Sequence, residues 1–337
     1  MRGSAKFGAG SMLLAAALAA LPATSGAHAA SEATEATKVL LFSAPMTSDG
    51  SDVPEAAISI GACLTAATEV LGPNAFDSCA DQNVGPVPES GKAPGYLQLT
   101  DAGEYRSGAA ILNQALPNEG GIEVTFAQYQ YGGTGADGIS FFLVDGETDL
   151  TETGAVGGSL GYAQHGDSPG VDGGYLGLGL DAWGNFSADT EGRGTGCDAE
   201  HRAPEHLQVA LNRAPDTVAL RGPGQGTEGY CLLATTATDE KIGEYGGGDI
   251  YGTELPGDLR AETLADAKRL VKLKVTDGEH PTVTVDLNFL EGEGWQRALE
   301  TTMPFAAPDT FKIGFASATG GATDVHLIRH LRVETFE

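Results

Sequence analysis

The chain has 337 residues, with 46 acidic against 19 basic side chains and a formal net charge of -27. A polyanion of this kind lacks the basic face that releases counterions from phosphates, which excludes nucleic-acid binding, and it is repelled by anionic membrane surfaces. Hydrophobic residues at 41% still suffice for a large core, and the 49 glycines are roughly twice the usual ~7% share.

In chain order, residues 1–30 read as an export signal. Arg2 and Lys6 form a short basic start, and 12–21 is an apolar run of ten residues, too short to span a bilayer. Pro22 ends the run, and Ala27-His28-Ala29 supplies a small-x-small cleavage pattern near Ala29. The expected location is therefore secreted or extracellular, with no membrane partner. Cys63, Cys79, Cys197 and Cys231 then meet an oxidising compartment, where an even count favours two disulfides. Of the three connectivities we expect the short-range one, Cys63–Cys79 and Cys197–Cys231. Zinc is the alternative use, but there is no C-x-x-C pair and no His at finger spacing.

Beyond residue 30 the apolar period is two. Ile122, Val124 and Phe126 alternate with Glu123, Thr125 and Ala127, and 137–144 (DGISFFLV) is a nearly continuous apolar strand fit for the middle of a sandwich. In 175–180 (YLGLGL) large residues alternate with Gly177 and Gly179, which leave room for close approach. Val271, Leu273 and Val275, then Val283, Val285, Leu287 and Phe289, predict a hairpin whose connection holds Asp277-Gly278 and Pro281. A last strand is expected over 326–336. Helical signal is confined to 254–270, where one short helix is expected after Pro256-Gly257. There is no internal repeat and no repeated βαβ pattern, so the expectation is an all-β sandwich in one domain.

Three motif matches compete for the chemistry. Gly157-Gly158-Ser159-Leu160-Gly161 fits G-x-S-x-G, but a nucleophile elbow needs a strand before the Ser and a helix after it. The following GYAQHGDSPG cannot be a helix. Glu147-Thr148-Asp149-Leu150-Thr151-Glu152 has the E-x-D-x-x-E spacing of laminarinase-type glycoside hydrolases. Glu147 and Glu152 would then be the carboxyl pair, about 5 Å apart on a rigid strand. The competing interpretation is a solvated acidic loop. Asn185-Phe186-Ser187 matches the N-glycosylation sequon, a common pattern.

A fourth constellation has several pieces in order: Gly135-Ala136-Asp137-Gly138 before an apolar strand, Gly157–Gly161, then YLGLGLDAWGN over 175–185, and GFASATGGAT over 314–323 followed by His326. Over residues 96–337 this resembles the legume-type (L-type) lectins and their bacterial relatives, the concanavalin-like jelly-roll β-sandwich; residues 31–95 form a front segment expected to join the sandwich. The resemblance implies a non-catalytic, secreted glycan-binding domain. Its carbohydrate contacts would be Asp137, the Gly158 N–H, Trp183, Asn185, Gly321 and Ala322. A carboxylate beside an amide and a backbone donor can read two adjacent hydroxyls, and a flat ring matches the C–H face of a sugar. The resemblance also implies Ca²⁺ held by Asp181, the Trp183 carbonyl, Asn185 and Asp189, hard oxygen donors suited to that ion. The companion Mn²⁺ site lacks its donors, with Gly179 and Gly196 where a Glu and a His would stand and His201 only nearby. A glycoside hydrolase acting through Glu147 and Glu152, or a structural extracellular module without a small ligand, stay open as alternatives.

Overall fold

Two antiparallel sheets carry the architecture of this computed structural model, which describes residues 37–336 apart from Asp52, Pro73, Glu291 and Glu293. The expected export signal lies outside the described residues. The larger sheet has eight strands. Its order runs Gln296–Thr302, Thr282–Asn288, Arg269–Thr276, Gly121–Tyr131, Val325–Phe336, Leu97–Thr100 and Cys63–Leu64, with Lys38–Ala44 pairing the distal half of Val325–Phe336. The other sheet has seven strands, in the order Leu232–Thr235, Thr217–Arg221, Gly174–Asp181, Gly138–Asp145, Thr310–Ala318, Ser107–Pro117 and Ala57–Ile60. The fold is an all-β, jelly-roll sandwich.

The front segment is woven into both sheets: Ala57–Ile60 pairs Ser107–Pro117, and Cys63–Leu64 pairs Leu97–Thr100. The described residues accordingly form one compact unit. The Arg269–Thr276 and Thr282–Asn288 hairpin is closed by the 277–281 connection containing Pro281. Cysteines pair as Cys63–Cys79 and Cys197–Cys231. The predicted helix in 254–270 is absent: 254–268 is a run of turns and bends laid along the larger sheet, and a strand begins at Arg269. Its backbone is claimed by distant partners. Leu259 N–H donates to Asp216, Leu259 O accepts from Gln128, and Ala261 N–H donates to the Gln130 carbonyl. Leu259 and Ala267 are buried by these ties, a tertiary override of local propensity.

Between the sheets Phe126 meets Phe141 and Phe315 at centroid separations of 5.8 and 4.9 Å, knitting the two layers. A second apolar layer covers the far face of the seven-stranded sheet, where loops 150–171 and 182–214 bring Tyr162, Phe186, Ala188 and Leu207 against Phe142 and Val144. This explains why 138–145 reads as a continuous apolar run, since the strand is buried on both faces. It also explains the glycine alternation. A Cβ on Gly177 would lie 2.2 Å from the Tyr162 ring, and one on Gly179 would lie 2.3 Å from the Phe186 ring. Each glycine is a socket for an aromatic ring delivered by a loop, and no Glu fits at position 179.

Gly177→Ala and Gly179→Ala should each destabilise the protein by about 1–3 kcal/mol, the usual cost of overpacking. Thermal unfolding monitored by near-UV circular dichroism checks this; an unchanged midpoint in both variants would mean that the rings do not depend on the sockets.

Candidate functional site

Tyr162 and Phe186 sit beside the loops that carry the candidate residues, so the sockets fix where those loops stand. Asp137 ends the segment entering Gly138–Asp145, behind a cis Ala136–Asp137 peptide. Its backbone is pinned on both sides: Asp137 N–H donates to the Ala318 carbonyl at 2.9 Å, and its carbonyl accepts Trp183 N–H at 2.8 Å. The side chain is buried, and among the described residues its carboxylate takes no hydrogen bond or salt bridge. Burial and the Glu191 charge push its pKa up to about 6, with Arg193 opposing. The carboxylate faces glycine on two sides. Cβ atoms placed on Gly157 and Gly320 would stand 4.0 Å from Oδ2 and Oδ1 respectively.

Asn185 packs on Gly158 so closely that a Cβ there would fall 2.5 Å from the Asn185 Cβ and 2.8 Å from its Nδ2. Thus the structure gathers Asp137, Gly158, Trp183 and Asn185 at one end of the seven-stranded sheet. Gly321 and Ala322 lie on the adjoining turn, where Gly320 N–H donates to the Ala322 carbonyl. That turn also meets Tyr105, a residue 80% exposed whose N–H donates to the Gly320 carbonyl. Sequence reasoning misses Tyr105. A lone Tyr between Glu104 and Arg106 carries no pattern, and only the fold sets it beside this turn.

Two buried arginines, also missed by sequence reasoning, hold the loops. Arg193 donates from Nε to the Ala188 carbonyl, from Nη1 to Ser159 Oγ, and from Nη2 to Thr190 and Glu191. It thereby ties the loop after Gly157 to the loop after Asn185. Arg221 projects from Thr217–Arg221 and donates to the carbonyls of Phe186, Tyr230 and Ala188 and to Asp189 Oδ1 at 3.0 Å. Burial pulls its pKa down to about 10, against the pull of Asp189.

These arginines bear on the calcium donors. Asp181 is fully buried, and its two carboxylate oxygens accept the N–H groups of Gly184 and Phe186 at 2.8 and 2.6 Å. Burial raises its pKa to about 7, the two N–H bonds opposing and the Asp137 charge adding. Asp189 is committed to other partners: Oδ1 is paired with Arg221, while Oδ2 accepts Ala203 N–H at 2.9 Å and lies 3.5 Å from Arg202 Nε. Asp181, Trp183 and Asn185 share one turn, and the fourth expected donor, Asp189, has a guanidinium as its counter-charge. Among the described residues no group of three His, Cys, Asp or Glu side chains could hold a metal. The expected calcium set has only two such side chains, Asp181 and Asp189, beside Asn185 and the Trp183 carbonyl, and in this structure Asp189 is held by Arg221.

The competing motifs fare as follows. Ser159 is buried, its hydroxyl donating to the Gln164 carbonyl and accepting from Arg193, with no base beside it. Glu147 and Glu152 are exposed on the loop after Gly138–Asp145 rather than on a rigid strand. Ser187 of the sequon is buried against Thr217 and Thr235. His326 is buried with Nδ1 2.7 Å from Thr100 Oγ1, and burial pulls its pKa down to about 3, so it stays neutral.

No protein-family model matches the chain, and no curated protein does. Solved structures do. The exoplasmic/lumenal domain of VIP36 in its Ca²⁺-bound form is 14% identical, with a TM-score of 0.49, over 88% of this chain and 90% of that one. The Emp47p carbohydrate recognition domain is 11% identical at a TM-score of 0.49, over 91% and 100% of the two chains. Peanut lectin in complex with a 9mer peptide is 16% identical at 0.42, over 90% and 99%. The solved structures this chain is similar to are L-type lectins.

Asp189→Asn should cost about 3–5 kcal/mol, because it strands Arg221 as an unpaired buried charge. Calcium held by Asp181, Trp183, Asn185 and Asp189 would raise the melting midpoint of the wild-type protein, and a chelator would remove the rise. Calorimetry under both conditions decides; a calcium-dependent rise that disappears in Asp189→Asn would put a metal on that carboxylate.

Proposed function

We propose that the chain is a secreted, non-catalytic carbohydrate-binding protein whose site is formed by Asp137, Gly158, Trp183 and Asn185, with Gly321, Ala322 and Tyr105 along its rim. The observation that carries this reading is the Asp137 carboxylate. It is buried, has no side-chain partner among the described residues, and stands among glycine-lined turns next to a carboxamide. Such an acceptor wants hydroxyl donors, and its neighbours leave space for a ring to approach. Asn185 can both donate and accept, the Gly158 N–H can add a donor, and Trp183 and Tyr105 offer amphipathic rings. The glycan would be held by neutral hydroxyl recognition on a frame fixed by Arg193 and Arg221. The two disulfides suit an oxidising compartment. Among the described residues no helix is long and apolar enough to cross a membrane.

Asp137→Asn should reduce affinity for the best ligand of a glycan array by at least about tenfold with little change in melting, and Gly158→Ala should do the same by displacing Asn185. Equal binding by wild type and both variants would sink the site assignment. Affinity should also fall with acidity. The carboxylate form accepts sugar hydroxyls, and with a pKa of about 6 it is depleted as the pH drops through that value. Isothermal titration at pH values of about 7.5, 6 and 5 should show progressively weaker binding, and a flat profile would argue against Asp137 as the acceptor.

A further inference from the structure

Next to Asn185 a cleft of about 290 Å³ opens between Trp183, Glu191, Leu211, Arg213 and Tyr245. Arg213 dominates it. The guanidinium carbon lies 3.5 Å from the Trp183 ring centroid and 4.7 Å from that of Tyr245, in the corner formed by two rings that stand at 87° to each other. The backbone is pinned as well: Arg213 N–H donates to the Asp249 carbonyl, and its own carbonyl accepts Tyr251 N–H. Only 9% of the residue is exposed, and its Nε has no hydrogen-bond partner. No salt bridge among the described residues involves Arg213, although the protein has a large excess of acid. The nearest lining acid, Glu191, is paired with Arg193 at 2.8 Å, and Asp249 is paired with Lys241 at 2.8 Å. Burial lowers the Arg213 pKa while Tyr245 and Asp181 oppose this, and a guanidinium stays charged throughout the working range.

An immobile guanidinium with its Nε buried and unpartnered and no acid paired to it, at the wall of an open cleft, is a costly arrangement if it only braces two rings, since a neutral side chain would pack there at lower cost. Its planar fork matches a carboxylate, which it can hold through two parallel N–H bonds. We propose that the Arg213 cleft is a subsite for the carboxylate of a uronic acid residue, so that the ligand is an acidic glycan with one sugar on Asp137 and Asn185 and its charged neighbour against Arg213. This rests on the carbohydrate-binding reading above and adds the ligand class to it. Trp183 links the two positions, since its N–H bonds the Asp137 carbonyl while its ring stacks on Arg213.

The test is an array of uronic-acid oligosaccharides printed beside their carboxyl-reduced and sulfated counterparts, probed with the full chain. The wild type should prefer the uronate to its reduced form by at least about tenfold. Arg213→Met should remove that preference, read as the ratio of binding to the uronate and to its reduced form on the same array. Should Arg213→Met fail to fold, Arg213→Lys keeps the charge without the planar fork and should retain less than about a third of the preference. Equal wild-type binding to uronate and reduced forms, or a preference that survives in the variants, overturns the inference and leaves the Asp137 site standing. A stronger response to sulfate esters than to uronates also overturns it, assigning the cleft to a tetrahedral anion. Loss of all binding in Asp137→Asn, with the preference intact in wild type, supports both levels. Absence of binding to any glycan by the wild type overturns both.

Discussion

The placing of the candidate site depends on one steric interlock, in which glycine gaps in the strand Gly174–Asp181 receive the rings of Tyr162 and Phe186. A strand with side chains at every position would hold the covering loops away from the sheet. With Gly177 and Gly179 open, two aromatic rings seat directly on the backbone, and the residues next to them inherit that precision. Gly158 and Ser159 precede Tyr162 by a few residues, and Asn185 directly precedes Phe186. Long glycine-rich loops are costly to order, and each of these two gains a fixed point that offsets part of that cost. Tyr230 repeats the device, its ring filling the space that Gly170 and Gly224 leave open.

Anchored rings fix where the loops start, and the buried arginines fix how they lie against each other. Loop backbone turned inward exposes carbonyls that have no ladder partner, and each would be costly to bury alone. Arg193 and Arg221 bring fixed forks of donors to those carbonyls, from Ala188 and Phe186 to Tyr230. Their charge is met by Asp189 and Glu191. An ion such as calcium gathers oxygens in the same sense, by offering a positive centre to several carbonyl and carboxylate oxygens. Here covalently tethered cations perform that gathering for the carbonyls of Phe186, Ala188 and Tyr230.

Much of the sandwich was legible from the sequence because its signals are local. Period-two alternation predicted the strands carrying Val124, Leu273 and Val285. The glycine alternation at 175–180 announced a close approach without saying what approaches. The helix expected in 254–270 failed for a physical reason: its apolar positions Leu259 and Ala267 are satisfied by tertiary contacts, and distant side chains claim the backbone groups a helix would use. Asp137, Gly158, Trp183 and Asn185 were legible only as a resemblance, since nothing local says that separated loops converge. Tyr105, Arg193, Arg213 and Arg221 were not legible at all. Their roles are set by partners that only the fold brings near, and an isolated Arg in an acidic chain looks like any solvated surface charge.

The excess of acid and an acid-binding cleft act on different length scales. Repulsion from a net charge of -27 is a long-range field, and at physiological ionic strength it is screened beyond a Debye length of about 8 Å. It governs the approach of an anion, slowing encounter, and it discourages loose adsorption of polyanions anywhere on the surface. Contact energy at Arg213 is set inside the cleft, where the guanidinium is shielded from water by Trp183 and Tyr245 and a hydrogen-bonded carboxylate displaces the little solvent left. Such a division gives selectivity of a particular kind. An acidic glycan gains nothing from the protein's overall electrostatics, so only one whose carboxylate reaches the fork while its neighbouring sugar reaches Asp137 offsets the cost of approach. Specificity then resides in the spacing between two fixed groups, Asp137 and Arg213, and the indole of Trp183 that joins them is the ruler.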